Sequence, residues 1–239
     1  CDAGIGNADP AEVKAGIDNT TSDAGGAMAV TADSVMHITA DITTKMTSRQ
    51  GVGVTLALNK IATDVEAYIL DSASVVARSG DITVAATDES TIEATMASPM
   101  VAIAYGKSDT TEVSIGLNIA RNEVATTVRS RAENVDTLTA EGGSITVSAA
   151  GTATITANAA ASVFGIDVSA GSSFAVNGGG ANALNTIAGS VTAEIIGGSL
   201  TAEKTDGGEG GNTSVTAVNE ASITATVSAL VATVAIGKT

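Results

Sequence analysis

The sequence predicts an all-β chain wound into a parallel β-helix, and three observations carry that expectation. The first is a long repeat. The stretch Asn59 to Ala94 returns in register from Asn122 and again from Asn185, and the two steps are equal. Self-similarity at a fixed period marks arrays whose units bury their apolar faces against their neighbours. The second is a period of two inside each copy, the alternation of a half-buried strand. The third is composition. The chain has two Phe, two Tyr and no Trp, which suits a narrow bore lined by small and branched side chains better than a sandwich core.

Landmarks recur in phase. Val65, Val128 and Val191 each lie six residues after their Asn, and Ile82/Ile145 and Ile92/Ile155 are separated by the same step as the asparagines. A five-residue insertion near Thr205–Gly211 sets the next landmark, Ile223, five positions later than that step would place it. A shortened first copy starts at Asn7, with Met28 and Ile38 in the places of Ile82 and Ile92, and it has lost eleven residues in its loops. One elongated β-solenoid over residues 1–239 follows, with copies at 1–58, 59–121, 122–184 and 185–239.

Within a copy, GVGVTLAL is expected to turn Val52, Val54, Leu56 and Leu58 inward, and VEAYI to turn in Val65, Ala67 and Ile69. ITV turns in Ile82 and Val84, and VSIGLNI turns in Val113, Ile115, Leu117 and Ile119. Val, Ile and Thr dominate, as strands require. Pro99 and the glycine spacing argue against reading MASPMVAIAYG as helix. Strand starts fall near Val54, Val65, Val75, Ile82, Ile92, Val101 and Val113. The 63-residue module then divides into three coils of 21, with two longer coils as the other division. About eleven coils stacked at about 4.8 Å make a rod of about 50 Å. The chirality of twisted strands makes it right-handed. Asn59, Asn122 and Asn185 are read as closing strands, because Asn accepts tight turn conformations. NGGGAN at 177–182 and DGGEGGN at 206–212 are read as surface turns.

The formal charge of −15, from 26 acidic and 11 basic residues, argues against nucleic acid, which needs a basic footprint. It also disfavours anionic lipid. It serves solubility; weak divalent-cation binding along the surface is the sharper reading. Cys1 is the single cysteine, so no internal disulfide forms. Cys1 is read as the place where the chain begins, with a processed lipoprotein terminus as the other reading. No apolar run reaches the length of about 18 residues that marks a transmembrane helix, so none is expected. No basic segment leads into an apolar signal stretch.

No catalytic, cofactor-binding or metal residue is assigned, and the chain is expected not to be an enzyme. His37 is the only histidine and alternates outward on a strand. Asp64, Glu66, Asp71, Asp81, Asp88, Glu89 and Glu93 are scattered, whereas a glycan-cleaving β-helix needs a carboxylate pair and aromatic platforms. DGGEGGN lacks the Asp and apolar residue of the calcium-binding nonapeptide. Gly178–Gly180 precedes no helix, so it is no phosphate loop. Outward threonines such as Thr83, Thr146, Thr154 and Thr224 follow from β-propensity more simply than from ice binding.

The apolar alternating strand ending in Asn59, the VEAYI segment and the GDITVAA segment together resemble the repeat of leukotoxin-type filamentous adhesins, which occur in very large bacterial surface and secreted proteins. The resemblance extends over essentially the whole chain through the other copies, and the fourth departs most, at its 205–211 insert. It implies a parallel β-helix at the bacterial cell surface or beyond it, acting in adhesion or as a structural fibre, and it carries over no catalytic or ligand residue.

The expected function is a structural repeat unit of a bacterial extracellular filament or giant cell-surface adhesin. AIGKT at the end of the chain matches AYGKS at 104–108, and Cys1 is in phase with Gly116. The expected partners are therefore further coils, met head to tail through uncapped ends or along a longer chain, and a host or matrix surface. Membrane insertion is not expected. The alternative is a β-helix binding module for a carbohydrate or another surface ligand, its face built by segments 106–112 and 177–182.

Overall fold

In a computed structural model, residues 9–48, 50–203 and 211–237 are described. The strands run β1 (Ala11–Asp18), β2 (Thr21–Ala24), β3 (Met28–Thr43), β4 (Met46–Ser48), β5 (Gln50–Leu70), β6 (Ser74–Ala77) and β7 (Ile82–Gly106). They continue with β8 (Thr110–Glu133), β9 (Thr137–Ala140), β10 (Ile145–Ser169), β11 (Ser173–Ile196), β12 (Ser199–Ala202) and β13 (Thr213–Ile236). No helix occurs among the described residues. All pairings are parallel and fall into three sheets: β1-β5-β8-β11, β12-β9-β6-β2, and β13-β10-β7-β3 with β4 also on β7. The fold is a parallel β-helix.

The register corrects the coil count. Asn59 pairs with Asn122 and Asn122 with Asn185, so the chain returns above itself at a separation of 63. One turn visits all three sheets once: β5, β6 and β7 lead to β8 directly over β5. The whole module is therefore a single coil, not three of 21, and the described residues form four coils, not eleven. Stacked at about 4.8 Å they reach about 20 Å, while a strand of about 24 residues spans up to about 80 Å. The molecule is a flat blade with two broad sheets, a narrow edge sheet of four-residue strands and, opposite it, a tip at the turns 107–109 and 170–172.

Where coil I lost its eleven residues is now visible. Partner offsets are 52 for β1 on β5, 53 for β2 on β6 and 54 for β3 on β7. Across the tip the offset jumps from 54 (Ser48 on Ala102) to 63 (Gln50 on Val113). Nine of the eleven residues are therefore missing between the positions paired with Ala102 and Val113, and one each at the two edge-sheet turns.

The core is an in-register stack. Val65, Ile82, Val84, Val128, Ile145 and Val147 are fully buried and form one cluster with Val75 and Leu138. Ile92 and Ile155 centre a second cluster, flanked by Ile38 and Ile187. These are the residues that the repeat selects, and each fully buried aliphatic side chain contributes about 1.5–3 kcal/mol.

At the edge-sheet corner, Asn19, Asp71 and Asn134 have φ of 47°, 46° and 54°, and coil IV places Gly197 there at 75°. This left-handed column admits Asn, Asp and Gly. Asp71 and Asn134 are joined by Asn134 Nδ2 to Asp71 Oδ1 at 3.0 Å. Ion pairs also step between coils: Lys60–Glu123 at 3.1 Å, Arg131–Glu66 at 2.8 Å and Arg78–Asp23 at 2.6 Å.

Candidate functional site

The apolar alternation near the tip is opposite in phase to the sequence expectation. Val52, Val54, Leu56 and Leu58 point outward, 62%, 59%, 53% and 50% exposed. Gly53, Thr55, Ala57 and Asn59 face the interior. The cause is continuity. A strand end at Asn59 would reset the alternation, but β5 runs unbroken from Gln50 to Leu70. Val65 is inward, so every odd position of that strand is inward. The same holds in β8, where inward Val124 and Val128 place Ser114, Gly116, Asn118 and Ala120 inside and Val113, Ile115, Leu117 and Ile119 outside.

Small inward residues let the two broad sheets approach. Gly53, Gly116 and Gly179 stack in one column. A Cβ on Gly116 would meet Met100 Sδ at 3.0 Å and Val163 Cγ2 at 3.3 Å, and one on Gly179 would meet Val231 Cγ2 at 3.1 Å. The Met100, Val163 and Val231 side chains from the opposite sheet fill the space that these glycines leave.

The outward result is an apolar panel on each broad face. On one, β5 contributes its four aliphatic residues, β8 adds Leu117 and Ile119, and β11 adds Val176 and Leu184. On the other lie Val101 and Ile103 of β7, Phe164 of β10, and Leu230, Val234 and Ile236 of β13. NGGGAN is not a turn; it lies within β11, paired with residues 114–119. The β8 template holds it extended, and outward Gly180 leaves a recess of about 240 Å³ beside Leu117, Ile119 and Asn182. DGGEGGN falls mostly outside the described residues.

The interior is polar where the sheets are close. Asn59, Asn122 and Asn185 do not close strands. They point inward at mid-strand and form a ladder, with Asn59 Nδ2 to Asn122 Oδ1 at 2.8 Å and Asn122 Nδ2 to Asn185 Oδ1 at 2.7 Å. Asp88, 1% exposed, accepts from Thr63 Oγ1 at 2.9 Å and Ser90 Oγ at 2.7 Å.

Nearest the tip, Glu112 and Asp167 are both fully buried. Thr110 Oγ1 donates to Asp167 Oδ1, while Asp167 Oδ2, both Glu112 oxygens and Asn177 Oδ1 have no well-formed hydrogen bond. Gly165 provides the room, since a Cβ there would fall on Glu112 and Asn177. Burial pushes the Glu112 carboxyl up from its ordinary 4.5; the Asn177 amide opposes this and the Asp167 charge adds to it. Among the described residues no three His, Cys, Asp or Glu side chains gather as metal ligands.

His37 is exposed on β3, as expected, with its Nε2 2.8 Å from Thr39 Oγ1. Asp64, Glu66, Asp71, Asp81, Glu89 and Glu93 are separate along the coil, and Asp88 alone among the scattered carboxylates is buried. The sequence reading missed Glu112 and Asp167, although their inward parity on β8 and β10 was available once each strand was read as continuous.

The remaining candidate surface is the end of the stack. Ile223 on β13 is 49% exposed, while Ile155 directly beneath it is fully buried. Val215 over Val147 repeats the contrast at 46% against 0%. Compared with known proteins, the chain matches no family model, no curated protein and no solved structure.

Proposed function

We propose that this chain is a structural segment of a bacterial extracellular filament or giant cell-surface adhesin, whose coils continue end to end into further coils of the same kind. The observation that carries the reading is the open face of coil IV. There Val215, Ile223 and Val227 are 46%, 49% and 48% exposed in columns whose lower members are buried. β11, β12 and β13 are also the last members of their sheets among the described residues, and an unpaired edge is a template for another strand. A following coil of the same register, from the same chain or from another copy, would bury these side chains and complete the ladder. The role is mechanical: continuous backbone hydrogen bonding and stacked side chains hold a stiff body, and the repeat's resemblance to filamentous adhesins supports a place at the cell surface. The alternative of a ligand-binding module is less favoured, because 177–182, one of its two supposed loops, is strand.

Negative-stain microscopy alongside light-scattering mass tests the reading. Fibres up to about 80 Å wide, the reach of one long strand, are expected, shortened by Ile223→Lys, which places a charge on the open end. Monodisperse single-chain particles at every concentration would overturn end-to-end stacking.

A further inference from the structure

We infer that the β5/β8 apolar panel is a lateral docking surface for a second copy of this chain, packed sheet against sheet. The inference is independent of end-to-end stacking, which uses the coil edges and not the broad faces.

The panel is built, not incidental. In β5, four consecutive outward positions carry Val52, Val54, Leu56 and Leu58, and all are at least half exposed. The register places Leu117 directly over Val54 and Ile119 over Leu56, so the side chains form rows across the stack. The inward positions of the same stretches, 53–59 of β5 and 114–120 of β8, hold glycine, serine, threonine, alanine and asparagine. A stretch that turns its large aliphatic residues to solvent and its small polar ones inward has its covering surface elsewhere.

The occupant follows from size, charge and shape. The half-exposed aliphatic side chains leave on the order of 500 Å² of apolar area, at the upper end for a monomer's largest patch. That is most of one partner's share of a standard interface, about 800 Å². The chain carries −15 overall, so two copies repel least where they meet through a surface free of carboxylates. The panel is such a surface: the outward positions 52, 54, 56 and 58 and their β8 partners 115, 117, 119 and 121 include no acidic residue, and Arg121 borders it with a positive charge. The same net charge repels an anionic membrane.

The panel offers both ridges and a recess. Gly178 and Gly180 on β11 sit beside Ile115 and Leu117 on β8, giving ridges next to a recess. A Cβ on Gly180 would touch only Leu117 Cδ2, at 3.0 Å, with open space around it. Ridges of one copy can enter the recess of another related by a twofold axis, as in face-to-face sheet packing at about 10 Å.

The test is sedimentation equilibrium of the full chain over a wide concentration range, with Leu56→Glu/Leu117→Glu and the milder Leu56→Ser/Leu117→Ser. Ile223→Lys is the common background, so that end-to-end growth is suppressed. The expected result is a monomer–dimer equilibrium whose dissociation constant rises at least tenfold in both panel variants, with unchanged circular dichroism and melting. A monomer at every concentration, or a dimer indifferent to both panel variants, would overturn the proposal. So would flotation of the chain with phosphatidylcholine vesicles that the panel variants abolish, since the panel would then serve a lipid surface.

Discussion

Asn59 donates its side-chain Nδ2 to the Oδ1 of Asn122 at 2.8 Å, across one full coil. Asn122 in turn donates to Asn185 at 2.7 Å. The central amide, Asn122, both gives and receives, so the ladder satisfies polar groups that the interior would otherwise leave stranded. Because identical residues must be superposed for the chain of bonds to form, the ladder also fixes the axial register of neighbouring coils.

Replacing the central rung tests that role. Asn122→Ala removes two hydrogen bonds and leaves the Asn59 donor and the Asn185 acceptor without partners. The expected loss is about 2–4 kcal/mol, since each unsatisfied buried group costs about 1–3 kcal/mol. Asn59→Ala, at the end of the ladder, should cost about half as much. Urea unfolding of both variants measures the difference, and equal losses would show that the ladder is not acting as a connected column.

The strand phase is open to a chemical test. Leu56→Cys, on the outer face, should react with a maleimide at nearly the rate of an unfolded thiol. Ala57→Cys, 3% exposed in the parent residue, should be protected at least a hundredfold, as amides and thiols in stable core strands are reached only by opening. Equal reactivity, or protection at position 56, would restore the opposite phase.

That phase also marks how far the sequence could be read. Val65, Ile82, Ile92 and Ile145 were legible as core because large β-branched residues recur there at the period of the repeat. So was the parallel stacking, because only a chain that returns over itself keeps such a period. Around Asn59 the cue reversed. Local alternation says which residues share a face but not which face is inside, and size suggested the wrong one. The parity of Val65, carried unbroken through β5, decides it, as does the Gly53/Gly116/Gly179 column, which has a use only where another sheet comes close. The coil length was missed for the same reason: predicted starts at Ile82, Ile92 and Val101 belong to one strand, β7. Glu112 and Asp167 were passed over as two acids among 26, since burial of a carboxylate depends on that same parity.

The edge-sheet corner yields a prediction on glycine. Gly198 has φ of +83°, and a Cβ there would run into the carbonyl oxygen of Val135, a backbone atom that cannot swing aside. Gly198→Ala should therefore cost at least about 2 kcal/mol, above the ordinary scale of glycine effects, about 0.5–1 kcal/mol. Gly26→Ala, where nothing lies within 4 Å, should be neutral. Thermal melts of the two single variants compare them directly, and equal behaviour would mean the corner relaxes freely.

Glu112 gives the last prediction, on pH. Its folded carboxyl titrates above its ordinary 4.5 because burial disfavours the charged form and the Asp167 charge opposes a second one nearby. A raised pKa means that the folded state holds this proton more tightly than the unfolded chain does. The stabilising contribution is then fully present below about 4.5, the unfolded value, and is lost as pH rises through the folded value. Glu112→Gln keeps the shape and removes the titration. The variant should be more stable than the parent at pH 7, and the gap should close as pH falls toward 4. Urea midpoints measured for both proteins from pH 4 to 8 read this out. A pH-independent difference would mean that folding does not raise the Glu112 pKa, and a variant less stable at pH 7 would mean that its charged form is held by a partner.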